Sequence, residues 1–157
     1  MTSVPFFLAF FTSAVAYALL RGGGPERVTA AAYSIALAGS LVVGTHVPGN
    51  FRVVPIGLFS VDLALLIALC VIAIRANRWW IIPAAGCQLV TVLVHAGKAL
   101  HPAMIPNSYA FLADILSWPM VMFLAAGVWA YRRRRAKRIT MPDWKPFSVP
   151  PRSRMPS

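Results

Sequence analysis

The sequence predicts an all-α fold, a five-helix transmembrane bundle with a basic, proline-rich tail. Three observations carry that expectation. Apolar residues make up 59% of the 157-residue chain and mean hydropathy is +0.69, while charged residues reach only 12%, about half the share usual in soluble domains. Apolar stretches long enough to cross a bilayer recur five times, each set off by glycine, proline or asparagine. The basic residues gather beside those stretches, and nine of the fifteen Lys and Arg follow Tyr131. The chain thus divides into a transmembrane domain over 1–135, with helices at about 4–20, 28–47, 56–74, 81–100 and 108–131, and a tail over 136–157.

The first stretch begins with Pro5, where a missing N–H costs little. Ala16-Tyr17-Ala18 has the small-residue look of a signal-peptidase site, but no basic segment precedes it, so a retained helix is expected. Gly22-Gly23-Gly24-Pro25 reads as a turn. It follows no strand and lacks the Lys-Ser/Thr of a phosphate-binding loop. The second stretch repeats Ala36, Ser40 and Gly44 every four residues, a pattern that lets helix backbones approach closely. His46 ends it, and Pro48-Gly49-Asn50 turns the chain.

Asp62 stands alone among aliphatic residues in the third stretch, which Arg75, Arg78 and Trp79-Trp80 follow as a basic and aromatic interface anchor. Cys70 and Cys87 have no metal-ligand or CxxC spacing and are expected as small core residues. The fifth stretch carries Asp114 and, near its middle, Pro119, which frees the carbonyl of Ile115 and predicts a kink. Trp118, Val121, Ala125 and Val128 share a face with Asp114 and are assigned to the bundle interior. Beyond the arginine run, prolines are too many and apolar residues too few for packing, so the tail is expected to be extended and disordered.

The fourth stretch, IIPAAGCQLVTVLVHAGKAL, carries Gln88, Thr91, His95 and Lys98 at steps of three, four and three. At about 100° per residue these fall within an arc of roughly 80°, one polar stripe on an otherwise apolar helix. Such a stripe must face protein, water or a ligand, because charge at membrane depth is costly.

Charge fixes the expected sidedness. With the C-terminus inside, thirteen Lys and Arg lie on the cytoplasmic side against Arg52 and Lys98 on the outer side, the asymmetry that orients membrane proteins. Asp62, His95 and Asp114 then sit roughly 7–10 Å below the outer surface, with Lys98 a turn higher and His46 and His101 near the mouth. The sequence-level site is therefore an outer polar pocket of His95, Lys98, Asp62, Asp114, Gln88, Thr91 and His46. Arg132, Arg133, Arg134, Arg135, Lys137 and Arg138 form a topology signal that also suits anionic lipid headgroups.

A high isoelectric point alone invites a nucleic-acid reading. Basic residues stacked directly after a membrane helix argue against one, and no nucleic-acid partner is expected. No nucleophile–base pattern or metal-ligand spacing stands out, so neither enzymatic activity nor a metal site is expected. No cofactor is expected either. The first alternative is haem b between His46 and His95, since imidazoles on facing helices suit that chemistry. A proton or ion relay through carboxylate, imidazole and ammonium is the other. The leading expectation is a non-enzymatic accessory or assembly component of an inner-membrane complex, partnered by lipid and by other membrane subunits or further copies of itself.

The run RWWIIPAAGCQLVTVLVHAGKALHP, Arg78 to Pro102, with Tyr109-Ala110 after it, resembles a group of small polytopic bacterial inner-membrane proteins of unknown function. A Trp-Trp start, an Ala-Ala-Gly-x-Gln-Leu segment and a His-x-x-Lys step on one helix carry the likeness over about a third of the chain. The resemblance implies the boundary of this helix and the association of His95 with Lys98, and assigns no activity.

Overall fold

The computed structural model describes residues 3–44, 56–100, 106–139 and 142–145, with the side chains of 3, 99–100 and 106–114 outside that description. Its five helices are α1 (Ser3–Arg21), α2 (Gly24–Gly44), α3 (Ile56–Arg75), α4 (Ile81–Leu100) and α5 (Pro106–Ala136). All five are long and apolar enough to cross a membrane. The protein is therefore all-helical, with the make-up of a multi-pass membrane protein.

Proline placement explains where the helices start. Pro5, Pro25, Pro83 and Pro106 lie in the first turns of α1, α2, α4 and α5, where the ring pre-sets φ and no backbone hydrogen bond is lost. The glycine turn is shorter than expected, because α2 begins at Gly24 and takes Pro25 and Glu26 into its first turn. A Cβ on Gly22 would run into the Ala18 carbonyl and the Glu26 Cβ, so the reversal between α1 and α2 has room for nothing larger. At the other extreme α5 runs past Tyr131 to Ala136 and takes up the arginine run, so those side chains project at helical intervals. Two bonds cap it, Ile139 N–H to the Arg134 carbonyl at 3.1 Å and Arg138 N–H to the Arg135 carbonyl at 3.1 Å, with Arg138 left-handed at φ 54°.

Each helix packs against its neighbours in sequence, and α5 closes the ring onto α1 while also touching α2. The fourth helix is the most buried span, 44% of it inside the bundle against 11–28% for the others. The apolar core gathers towards the end where α3 gives way to α4, around Leu69, Ile72, Trp80, Ile81, Leu124 and Val128. Trp118 packs against Phe7 and Phe10, at ring-centroid distances of 5.4 and 5.9 Å, and so fastens α5 to α1.

Several expectations change. The close approach between α2 and α3 is made by Gly39 against Val61 and Gly57 against Val43, while a Cβ on Gly44 would meet nothing within 4 Å among the described residues. The close approach thus falls on glycines outside the repeat of Ala36, Ser40 and Gly44. Cys70 is exposed and Cys87 half-buried, so the first is no core residue. The tryptophan pair splits, with Trp79 outward and Trp80 fully buried against Gly127. Finally, the tail does not stay free at 142–145. Ala76 and Trp144 form an antiparallel bridge, Lys145 N–H bonds the Arg75 carbonyl at 2.8 Å, and Asn77 N–H bonds the Asp143 carbonyl at 3.2 Å.

Candidate functional site

The α4 stripe faces protein along its whole length. Gln88, Thr91, His95 and Lys98 are all buried, Lys98 to 2% exposure, although α4 also carries the fully outward Leu93 and Ile82. A helix presenting one polar edge to its neighbours and apolar edges to lipid has only one stable rotation in a bundle.

Asp62 of α3 is what the stripe grips. His95 Nε2 lies 2.8 Å from Asp62 Oδ2, while Gln88 Nε2 donates to both Asp62 Oδ1 and the Asp62 carbonyl at 3.0 Å. Gln88 and His95 are seven residues apart, two turns of one face, so they close on the carboxylate from either side. Thr91, between them, turns its hydroxyl to its own helix and donates to the Cys87 carbonyl at 3.2 Å. Asp62 also lines a cavity of about 130 Å³ shared with Tyr33, Ser40, Gln88 and Ser117, so polar groups from α2, α3, α4 and α5 converge there. The Tyr33 hydroxyl lies 3.5 Å from the Met120 carbonyl on the far wall.

Of the residues expected in this pocket, the structure brings together Asp62, Gln88 and His95, with Thr91 and Lys98 buried on the same face. His46 and the side chain of Asp114 lie outside the described residues, as does His101. The meeting of Asp114 with Lys98 therefore rests on sequence alone, while α5 runs through Pro119 as one helix. Among the described residues no three of His, Cys, Asp and Glu gather at metal-binding distance.

A second polar centre, at the opposite end of the bundle, was missed by sequence reasoning. Arg78, assigned to the interface, is buried; its Nε donates to Glu26 Oε1 at 3.1 Å and its Nη2 to Asp143 Oδ1. Glu26 is wholly buried, and Trp80 Nε1 also approaches its Oε1 at 3.4 Å, while its Oε2 has no hydrogen-bond partner among the described residues. The Tyr131 ring lies 5.6 Å beneath the guanidinium, a cation–π contact that covers its remaining face. Asp143 Oδ2 accepts from Gly24 N–H at 3.0 Å, which places a carboxylate on the positive end of the α2 dipole. One arginine thus joins α2, the α3–α4 turn and the tail. The depth argument used on the outer pocket holds here as well, because Glu26 and Arg78 both sit where their helices meet the same end of the bundle. Asp143 carried no such signal, being far along a proline-rich segment.

The run of basic residues is only partly a solvated fringe. Arg133 stacks over the Trp129 ring at 5.2 Å, and Arg134 Nη2 is buried without a hydrogen-bond partner among the described residues. Arg132 and Arg135 turn towards α1 and α2, where they line a cavity with Arg21 and Arg27. No family model, curated protein or solved structure matches the chain.

Proposed function

We propose that this chain is a multi-pass protein of the inner membrane that acts without enzymatic chemistry, as an accessory or assembly subunit of a larger membrane complex. The observation that supports this reading is a groove of about 310 Å³ on the outward side of α2 and α3. It is lined by Ala32, Ile35, Gly39, Val61, Ala64 and Ala68, with almost no polar surface. In lipid, apolar character alone gives two helices no reason to associate. What favours a partner is small residues that admit a second backbone to van der Waals contact, and this groove is built of them. The occupant proposed is a transmembrane helix of another subunit.

A photo-crosslinking residue placed at Ala64 in the full-length protein, in native membranes, tests this. The expected product is one adduct with a different membrane protein, absent when the same probe stands at the outward-facing Met122 of α5. Identical adducts at both positions, adducts with lipid only, or adducts only with a second copy of this chain would overturn the reading.

The Asp62–His95 pair, with Asp62 on the wall of a cavity that Tyr33, Ser40, Gln88 and Ser117 share, favours one other reading, a proton or ion relay. Under it, His95→Gln leaves a folded, membrane-inserted protein without its function, whereas for an accessory subunit the same variant keeps its partner. Haem b draws less support from the geometry. His95 would have to release Asp62 to offer Nε2 to an iron, and a Soret band lost in His95→Gln is the result that would revive it.

A further inference from the structure

Where α1 ends, α2 begins and α5 leaves the bundle, a cavity of about 430 Å³ is lined by Arg21, Arg27, Arg132 and Arg135, with Leu20 and Tyr131 among its other walls. We propose that this cavity is a binding site for a phosphate group. Four arginines from three helices line it, and none of them has an acidic partner among the described residues. The two described acids at this end, Glu26 and Asp143, are both engaged by Arg78. Without an anion, gathering four like charges around one cavity is unfavourable, and phosphate is the anion whose tetrahedral oxygens match the planar fork of arginine.

The extension of α5 explains how the site forms. Because the helix continues to Ala136, Arg132 and Arg135 stand three residues apart on one face and turn together towards Arg21 and Arg27. Arg133, between them in sequence, projects elsewhere and lies over Trp129. The volume falls within the roughly 300–1,000 Å³ of small-ligand sites. Leu20 is 75% exposed at the rim, at the end of a membrane-length helix, so an acyl-bearing phosphate would find an apolar surface beside the arginines. The phosphate has two possible sources, the headgroup of an anionic phospholipid and a soluble phosphate. The proposal does not depend on the accessory role.

The test uses the purified full-length protein in nanodiscs of phosphatidylcholine, alone or mixed with phosphatidylglycerol, and in detergent with inorganic pyrophosphate at constant ionic strength. Retained phosphatidylglycerol is read by native mass spectrometry, and pyrophosphate binding by titration calorimetry. The expected result is specific retention of the anionic lipid or specific binding of pyrophosphate, whichever source is used. Arg27→Gln and Arg132→Gln should each weaken it about tenfold, the factor that loss of one charge-assisted hydrogen bond produces. Arg133→Gln removes the same charge from the same helix outside the cavity and should leave binding within about twofold, because only a screened surface charge is lost. Since all four arginines are exposed at the cavity, these variants are expected to fold, as helical content and thermal midpoint will report. Equal weakening by Arg133→Gln would reduce the effect to general polybasic attraction. Binding of neither probe would overturn the site altogether.

Discussion

Asp62 receives two side chains seven residues apart on one helix, and Arg78 receives two carboxylates more than a hundred residues apart in sequence. At membrane depth or within a packed core an ion stranded without its counter-charge costs far more than the pair contributes. Arg78→Ala removes the one ion-pair partner that the wholly buried Glu26 has among the described residues, and a loss of about 3–5 kcal/mol is expected. The double variant Glu26→Leu, Arg78→Met removes both charges and should recover much of that loss, because apolar residues of similar volume often replace a buried pair at little cost. Reversible unfolding in mixed micelles gives both numbers, and a double variant no more stable than Arg78→Ala would show that the pair itself sets the stability of this end. The two centres were unequally legible. The Asp62 centre showed in the spacing of Gln88, Thr91, His95 and Lys98, because several polar residues on one helix create a period. The Arg78 centre draws a single ionisable residue from each of three segments, and single residues carry no period at all.

Elements were legible to the extent that apolar length and proline punctuation define them. The start of α4 at Ile81 and the end of α3 near Arg75 follow directly from the sequence, and so does the start of α3 at Ile56. The errors lie where polar sequence is helical for tertiary reasons. The first turn of α2 is held by the Asp143 cap and the Arg78 pair, and the last turns of α5 by Tyr131 beneath Arg78 and the Arg138 cap. Helix packing is also what decides between glycines. A Cβ on Gly127 would collide with the indole of Trp80, which is itself fully buried and has nowhere to move. A Cβ on Gly86 or Gly97 of α4 would meet nothing within 4 Å among the described residues. Gly127→Ala should therefore lower stability by about 1–3 kcal/mol through overpacking between α4 and α5. Gly86→Ala should raise it by up to about 1 kcal/mol, the helix-propensity difference between the two residues. Comparing the two in the same unfolding assay separates packing from propensity, since propensity alone moves both in the stabilising direction.

At the scale of the whole molecule the two polar centres lie at opposite ends of one antiparallel ring, and the described basic residues other than Lys98 are at the Arg78 end. That asymmetry predicts an orientation, with the Arg78 centre and the tail on the cytoplasmic side and the His95 centre towards the outside. It also predicts where the tail is captured. Asp143 reaches Arg78 only if the tail emerges at the same end as the α3–α4 turn, as five successive antiparallel helices require. Cysteine scanning in a background lacking Cys70 and Cys87 checks the orientation. A cysteine at Asn50 is expected to react with a membrane-impermeant thiol reagent in intact cells, and one at Lys137 only after the membrane is opened. The reverse pattern would put the thirteen basic residues outside and remove the electrostatic basis for the assignment. A further arm tests the tail. With Asp143→Asn the charge that draws Arg78 and suits the α2 dipole is lost, so a cysteine at Lys145 should label faster in opened membranes than it does in the Asp143 protein. Equal rates would mean that the backbone bridge through Ala76 and Trp144 holds the tail without that charge.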